Sequence, residues 1–187
     1  DYVEQNIRRF EELRGSKLFD AQCEWDHDAW RYRANGGESV VFVRTPEERA
    51  AKELIDCLKC ETVDYLYSNR LKGVLPGLSG RTQGFRRLIQ TSEIGSVSQL
   101  GQDSYITFLN GIRSHASRTQ NTLIQGCNRV IKWLARRDLL LTPIDLSTPP
   151  SLSTHAAIPT KMPSRDSIKC LLEARWTVAE NEEDTLQ

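Results

Sequence analysis

Apolar residues return at three- and four-residue steps at the start of the chain. Val3, Ile7, Phe10 and Leu13 predict an amphipathic helix over 2–14, with Gly15 as its stop. A Trp-rich stretch follows, carrying Phe19, Trp25 and Trp30. Segments 30–33 and 39–44 flank Ala34-Asn35-Gly36-Gly37-Glu38, and Val40, Val41, Phe42 and Val43 fill the return side, which predicts a β-hairpin. Thr45, Pro46 and Glu48 form a helix start with N-cap, N1 proline and capping-box partner. That helix is expected to run to about Leu58, with helical pattern resuming from Thr62 towards Leu71, and 73–80 reads as a loop.

Three further helices are predicted beyond it. Residues 81–91 place Phe85, Leu88 and Ile89 inward and Gln83, Arg86, Arg87 and Gln90 outward. Residues 101–114 carry Tyr105, Phe108, Leu109 and Ile112 on one stripe. Ser117 is expected to cap a long helix reaching about Arg137. Residues 142–163 hold five of the seven prolines among Ser and Thr and read as an extended linker. Ile168, Leu171, Leu172 and Trp176 then predict a helix over 164–177 with Ser164 as N-cap. The expected fold is mainly α: a helical bundle over 46–141, preceded by a helix and small hairpin in 1–45.

Composition narrows the classes. The 187 residues are 39% hydrophobic and 27% charged, ordinary values for a globular protein, and no run approaches the ~20 apolar residues of a membrane span. Five thinly spread cysteines fit a reducing cytoplasm better than a disulfide scaffold. The chain opens at Asp1 and reads as a piece of something longer.

Charge changes the picture more. The 25 basic and 25 acidic residues cancel overall, but not locally. Residues 1–80 hold 12 basic and 15 acidic residues, and 138–187 hold four and eight. Between them, Arg81, Arg86, Arg87, Arg113, Arg118, Arg129, Lys132, Arg136 and Arg137 are opposed only by Glu93 and Asp103. Such a concentration is the footprint of a polyanion partner, although a solvated basic face has the same composition.

The long helix sharpens this. At ~100° per residue, Leu123, Cys127, Val130 and Leu134 share one stripe bordered by Ile131. The opposite face presents Arg118, Asn121, Gln125, Arg129, Lys132 and Arg136 and contains no acid. An ordinary solvent-facing helix intersperses Glu or Asp among its cations at i,i+4. Lys and Arg neutralise phosphates, while Asn, Gln and Arg read base edges, so this face is the candidate contact with double-stranded DNA. Arg86 and Arg87 are expected to reach the DNA backbone from another helix, the one over 81–91. The competing reading is a helical module that binds an acidic protein through the same face.

The segment 96–144 resembles the tyrosine recombinases, also called phage-type integrases. The likeness runs through Val97–Gln99 and Leu100–Gln102, Tyr105-Ile106-Thr107-Phe108-Leu109, a break at 114–117, Arg118-Thr119-Gln120-Asn121-Thr122-Leu123 and Ile131-Lys132-Trp133-Leu134-Ala135-Arg136-Arg137-Asp138-Leu139-Leu140. With the linker and the helix expected after it, the likeness covers a little under half of the chain, and it rests on helix pattern, not on an invariant motif. The resemblance implies a four-helix, SAM-like core-binding bundle that grips one face of duplex DNA. It implies that 142–163 is the linker to a catalytic domain and that 164–187 is the start of that domain. A full-length parent would break and rejoin DNA through a phosphotyrosyl link, acting as a multimer on DNA without nucleotide or metal cofactor. Residues 1–45 match nothing in that family, and the 73–80 loop is not a feature of its bundle. The chain stops before the family's catalytic constellation, so no catalytic residue carries over and this chain alone is not expected to be an enzyme. Its tyrosines (Tyr2, Tyr32, Tyr65, Tyr67, Tyr105) all precede the linker, and Tyr105 lies on an apolar stripe.

Other chemistry is sparse. Cys57 and Cys60 form a lone CxxC that Cys23 and His27 could complete as a zinc site; the alternative is two small core residues. His27, flanked by Asp26 and Asp28, reads as part of a solvated loop, with Trp25 and Trp30 packing on a helix. His115 sits at a helix break. Neither GxGxxG nor GxxxxGK[ST] occurs.

Overall fold

The computed structural model describes residues 2–33, 37–74, 76–78 and 80–147. In these, the predicted stripes become six α-helices and one two-stranded antiparallel sheet: α1 (Tyr2–Gly15), β1 (Ala29–Tyr32), β2 (Glu38–Val41), α2 (Pro46–Ala50), α3 (Lys52–Leu71), α4 (Gln83–Ser92), α5 (Gln102–Gly111) and α6 (Ser117–Ala135). A short 3-10 turn at Val97–Gln99 precedes α5. Residues 142–147 are irregular; the rest of the segment read as a linker and the helix expected over 164–177 lie outside the described residues.

Several boundaries follow a different logic from the one predicted. Gly15 is the last residue of α1, and Lys17 takes the left-handed conformation (φ 64°) that ends it. The Leu18 and Lys17 amides then close on Leu13 O and Arg14 O, pairing carbonyls the helix leaves open. Ser117 is the first residue of α6 and not its cap. Ala116 holds the N-cap position, and the Gln120 side chain secures the turn by donating to Arg113 O (3.0 Å) and His115 O (2.6 Å).

The expected pause between Leu58 and Thr62 does not exist. The helix breaks earlier, at Ala51, and α3 then runs unbroken for 20 residues. It is buried around most of its circumference, from Leu54 to Leu66, and its buried set includes Lys59, Glu61, Thr62 and Asp64. A helix covered on all sides shows no single apolar stripe, so its polar residues read as a break although each has a partner inside the fold.

Around α3 the other elements take their places. α1 lies along it, α6 packs against it, and α4 bridges to both α5 and α6. The hairpin pairs Trp30 with Val40 and Tyr32 with Glu38, burying Trp30, Tyr32 and Val40 while Arg31 and Ser39 face solvent. Trp30 packs at a tilt on Phe10 of α1 (ring centroids 4.4 Å apart) and edge to face on Phe42 (4.5 Å), with Phe19 and Trp25 completing the cluster. The hairpin is tied to the start of α4 by Thr82 Oγ1 donating to Val41 O (2.7 Å) and Leu78 N to Glu38 Oε2 (2.8 Å). Lys59 of α3 enters the aromatic cluster. Its Nζ donates to Trp25 O (2.6 Å) and lies within 6 Å of the Trp25, Trp30 and Phe42 ring centres. Burial pushes the Lys59 ammonium below its ordinary pKa, against the opposing pull of Asp56.

α4 and α6 meet backbone to backbone. A Cβ on Gly84 would collide with the Leu123 carbonyl and stand 2.5 Å from Cys127 N, and one on Gly126 would lie 3.2 Å from Arg81 O. All of these neighbours are main chain and cannot rotate aside. Gly84→Ala is therefore expected to cost ~2 kcal/mol or more in urea unfolding, whereas Gly15→Ala, with open space around it, is neutral or slightly stabilising.

Lys59 generates a pH prediction. A lysine whose folded pKa is depressed binds fewer protons folded than unfolded, so its burial penalty is full at low pH and fades as pH rises through the folded value towards ~10.4. The stability of wild type relative to Lys59→Met should rise between pH 7 and that limit; a flat difference would contradict the burial of a charged lysine.

Candidate nucleic-acid interface

α6 builds the interface by period alone. Arg118, Asn121, Gln125, Arg129, Lys132 and Arg136 are all exposed along one side, while Leu123, Cys127, Val130, Ile131 and Leu134 are buried on the other. From Arg118 to Arg136 the face extends ~27 Å at 1.5 Å per residue. None of its four cations forms an ion pair among the described residues, and the same holds for Arg113.

The remaining basic residues of 81–137 behave differently. Arg86, expected to face outward, is only 6% exposed. Its guanidinium pairs with Glu48, which is itself fully buried, with Nη2 2.9 Å from Oε1 and 3.1 Å from Oε2. Glu48 is the capping-box residue of α2, and it also accepts from the Arg44 and Thr45 amides and from Gln90 Nε2 (2.9 Å). The 45–48 turn thus covers the side of α4 that the sequence suggested was free. Arg87 is half-buried, with Nη1 3.4 Å from Gln90 Oε1. The structure does not bring Arg86 to the surface that α6 presents.

Two more carboxylates bind arginines in the same way. Arg81 is paired with Glu61, both side chains 7% exposed, and its guanidinium lies 3.5 Å from the centre of the Tyr65 ring. Asp64 pairs with Arg9 of α1 and with Arg137, and accepts from Trp133 Nε1 (2.8 Å). Arg137 also stacks on Trp133, 4.2 Å from its ring centre. Of the nine cations, the sequence pattern assigns Arg86, Arg87, Arg118, Arg129, Lys132 and Arg136 to the contact. The structure sorts the nine into Arg81, Arg86 and Arg137, held by carboxylates, Arg87, half-buried beside Gln90, and Arg113, Arg118, Arg129, Lys132 and Arg136, exposed without ion pairs among the described residues. Long-range carboxylates hold Arg81, Arg86 and Arg137, and no local signal reveals that, whereas the exposed α6 cations follow from helical period.

The C-terminal half of the α6 face borders a groove of about 690 Å³ against α3, with Ser68, Asn69 and Lys72 on the opposite bank. Glu61 and Asp64 lie among its lining residues.

The other candidates resolve into packing. Among the described residues no group of three or more His, Cys, Asp or Glu is placed to hold a metal ion, so Cys23, His27, Cys57 and Cys60 are not gathered into a zinc site. Burial pushes the Cys57 thiol up to about 11 and raises Cys60 and Cys127 as well, opposite to the thiolate that metal binding or nucleophilic attack needs. His27 accepts from the Glu24 amide within a surface turn (3.2 Å). Tyr105 is fully buried and donates to Asn128 Oδ1 (2.8 Å), with burial pushing its phenol up to about 12. No helix among the described residues is long and apolar enough to cross a membrane. No family model, curated protein or solved structure matches the chain.

The sorting predicts a contrast in stability. Glu61→Gln leaves Arg81 buried without its counter-charge and should cost ~3–5 kcal/mol in urea unfolding. Arg118→Ala removes an exposed cation with no ion pair and should stay within ~0.5 kcal/mol of wild type.

Proposed function

We propose that this chain is the DNA-binding N-terminal part of a site-specific tyrosine recombinase, positioning a longer parent on duplex DNA for strand exchange. One observation carries the DNA reading: an exposed α6 face, ~27 Å long, that bears four cations without ion pairs and no acid. Like charges on one helix face repel, and a polyanion relieves that repulsion where an intramolecular partner does not. The helical arrangement of α3 to α6 agrees with the four-helix bundle that the sequence resemblance implies; the recombinase assignment itself rests on that resemblance.

The mechanism at this face is positioning. Arg118, Arg129, Lys132 and Arg136 engage phosphates and set the register, while Asn121 and Gln125, interspersed on the same face, reach base edges in the major groove. Breakage and rejoining of strands belong to the parent.

The test is fluorescence anisotropy of labelled duplex DNA across a salt series. Arg129→Ala/Lys132→Ala should weaken binding and lower the slope of log K against log salt by about two. Gln125→Ala should relax preference at one base position, a loss of ~1–3 kcal/mol of discrimination. A double variant that binds like wild type contradicts the reading, and weak DNA affinity throughout would transfer the face to an acidic protein partner.

A further inference from the structure

We infer that the duplex is gripped from two sides: the groove between α3 and α6 takes the phosphates of one strand, with Ser68 and Asn69 of α3 and the Lys72 that caps it forming a second bank opposite Arg129, Lys132 and Arg136. This rests on the DNA reading of α6 and goes further, because nothing in the sequence pattern of α3 marks its C-terminal end as a contact.

The groove floor would oppose an anion if its carboxylates were free. They are not. Glu61 is held by Arg81, and Asp64 by both Arg9 and Arg137, so two carboxylates face three arginines within the protein. The banks then add Lys72, Arg129, Lys132 and Arg136, none of which has an ion pair among the described residues. With its two carboxylates paired, the groove carries a net excess of positive charge, and such a cleft focuses its field outward, towards an incoming anion.

Spacing and donor type favour a nucleic-acid strand over a single small anion. Arg129, Lys132 and Arg136 step by ~4.5 and ~6 Å along α6, a span of ~10 Å. One strand of duplex carries a charge every ~3.4 Å of axis, so that span covers about three phosphate intervals, more than a single small anion occupies. Ser68 is exposed, and Asn69 uses one amide hydrogen on Tyr65 O (2.7 Å), leaving the other for a ligand. Hydroxyl and amide donors beside cations are the usual company of a phosphate backbone.

The experiment uses the 187-residue chain and labelled duplex DNA across salt, with Lys72→Ala, Lys72→Glu, Arg118→Ala and Arg70→Glu. Arg70 is exposed on the same turn of α3 but does not line the groove. Lys72→Ala should weaken binding about three- to tenfold and lower the salt slope by about one, and Lys72→Glu should weaken it further. Arg70→Glu should have a smaller effect than Lys72→Glu. If Lys72→Glu binds like wild type while Arg118→Ala is impaired, the groove proposal is overturned and the α6 reading stands. If Arg70→Glu is as damaging as Lys72→Glu, only the general field matters and the groove is again overturned. If every variant binds like wild type, both readings fall. Displacement of the duplex by poly-glutamate at equal charge concentration would also overturn both and assign the surface to an acidic protein.

Discussion

Three buried carboxylates govern this molecule. Glu48, Glu61 and Asp64 sit on or beside the central helix, where an unpaired charge costs several kcal/mol, so each must be met by a cation from another part of the chain. Glu48 draws Arg86 and Gln90 of α4, Glu61 draws Arg81, and Asp64 draws Arg9 of α1 together with Arg137 and Trp133 at the end of α6. The helices that supply these partners are thereby fixed around α3. Paired ions of this kind specify an arrangement more than they add net stability, because their attraction mainly offsets the cost of leaving water.

The same pairing defines the surface. Cations consumed inside the fold are those that reach α2 and α3; those on the far side of α6 have no carboxylate to meet. Gly84 and Gly126 complete the geometry by letting α4 and α6 touch through their backbones. That contact fixes which side of α6 is covered and leaves the stripe from Arg118 to Arg136 facing outward. An exposed basic face is thus a product of core construction, and the proposed DNA contact depends on it.

How far the sequence reveals this depends on the environment of each helix. α6 is half-covered, so its two faces separate cleanly and all six residues assigned to the outer face are exposed. α3 is covered almost all round, and its buried Lys59, Glu61 and Asp64 disguise a continuous helix as an interrupted one. Arg86 looks exposed by helical period because the residue that buries it, Glu48, lies 38 positions earlier. The motif around Glu48 was legible as a capping box, yet its second task, neutralising α4, is a tertiary fact. Cys57 and Cys60 show the converse: a pattern suggestive of metal is, among the described residues, ordinary helix core. Local periodicity identifies elements and their apolar sides; it does not show which charges the fold will keep.

The division of the arginines is therefore the claim to test most directly, and arginine-specific dicarbonyl labelling mapped by mass spectrometry does so. In the folded chain Arg118, Arg129 and Arg136 should be modified readily and Arg81 and Arg86 should resist. Added duplex DNA should protect the first group and leave the second unchanged. Reaction of Arg81 and Arg86 as fast as Arg129, or no protection of the α6 arginines by DNA, would contradict the account.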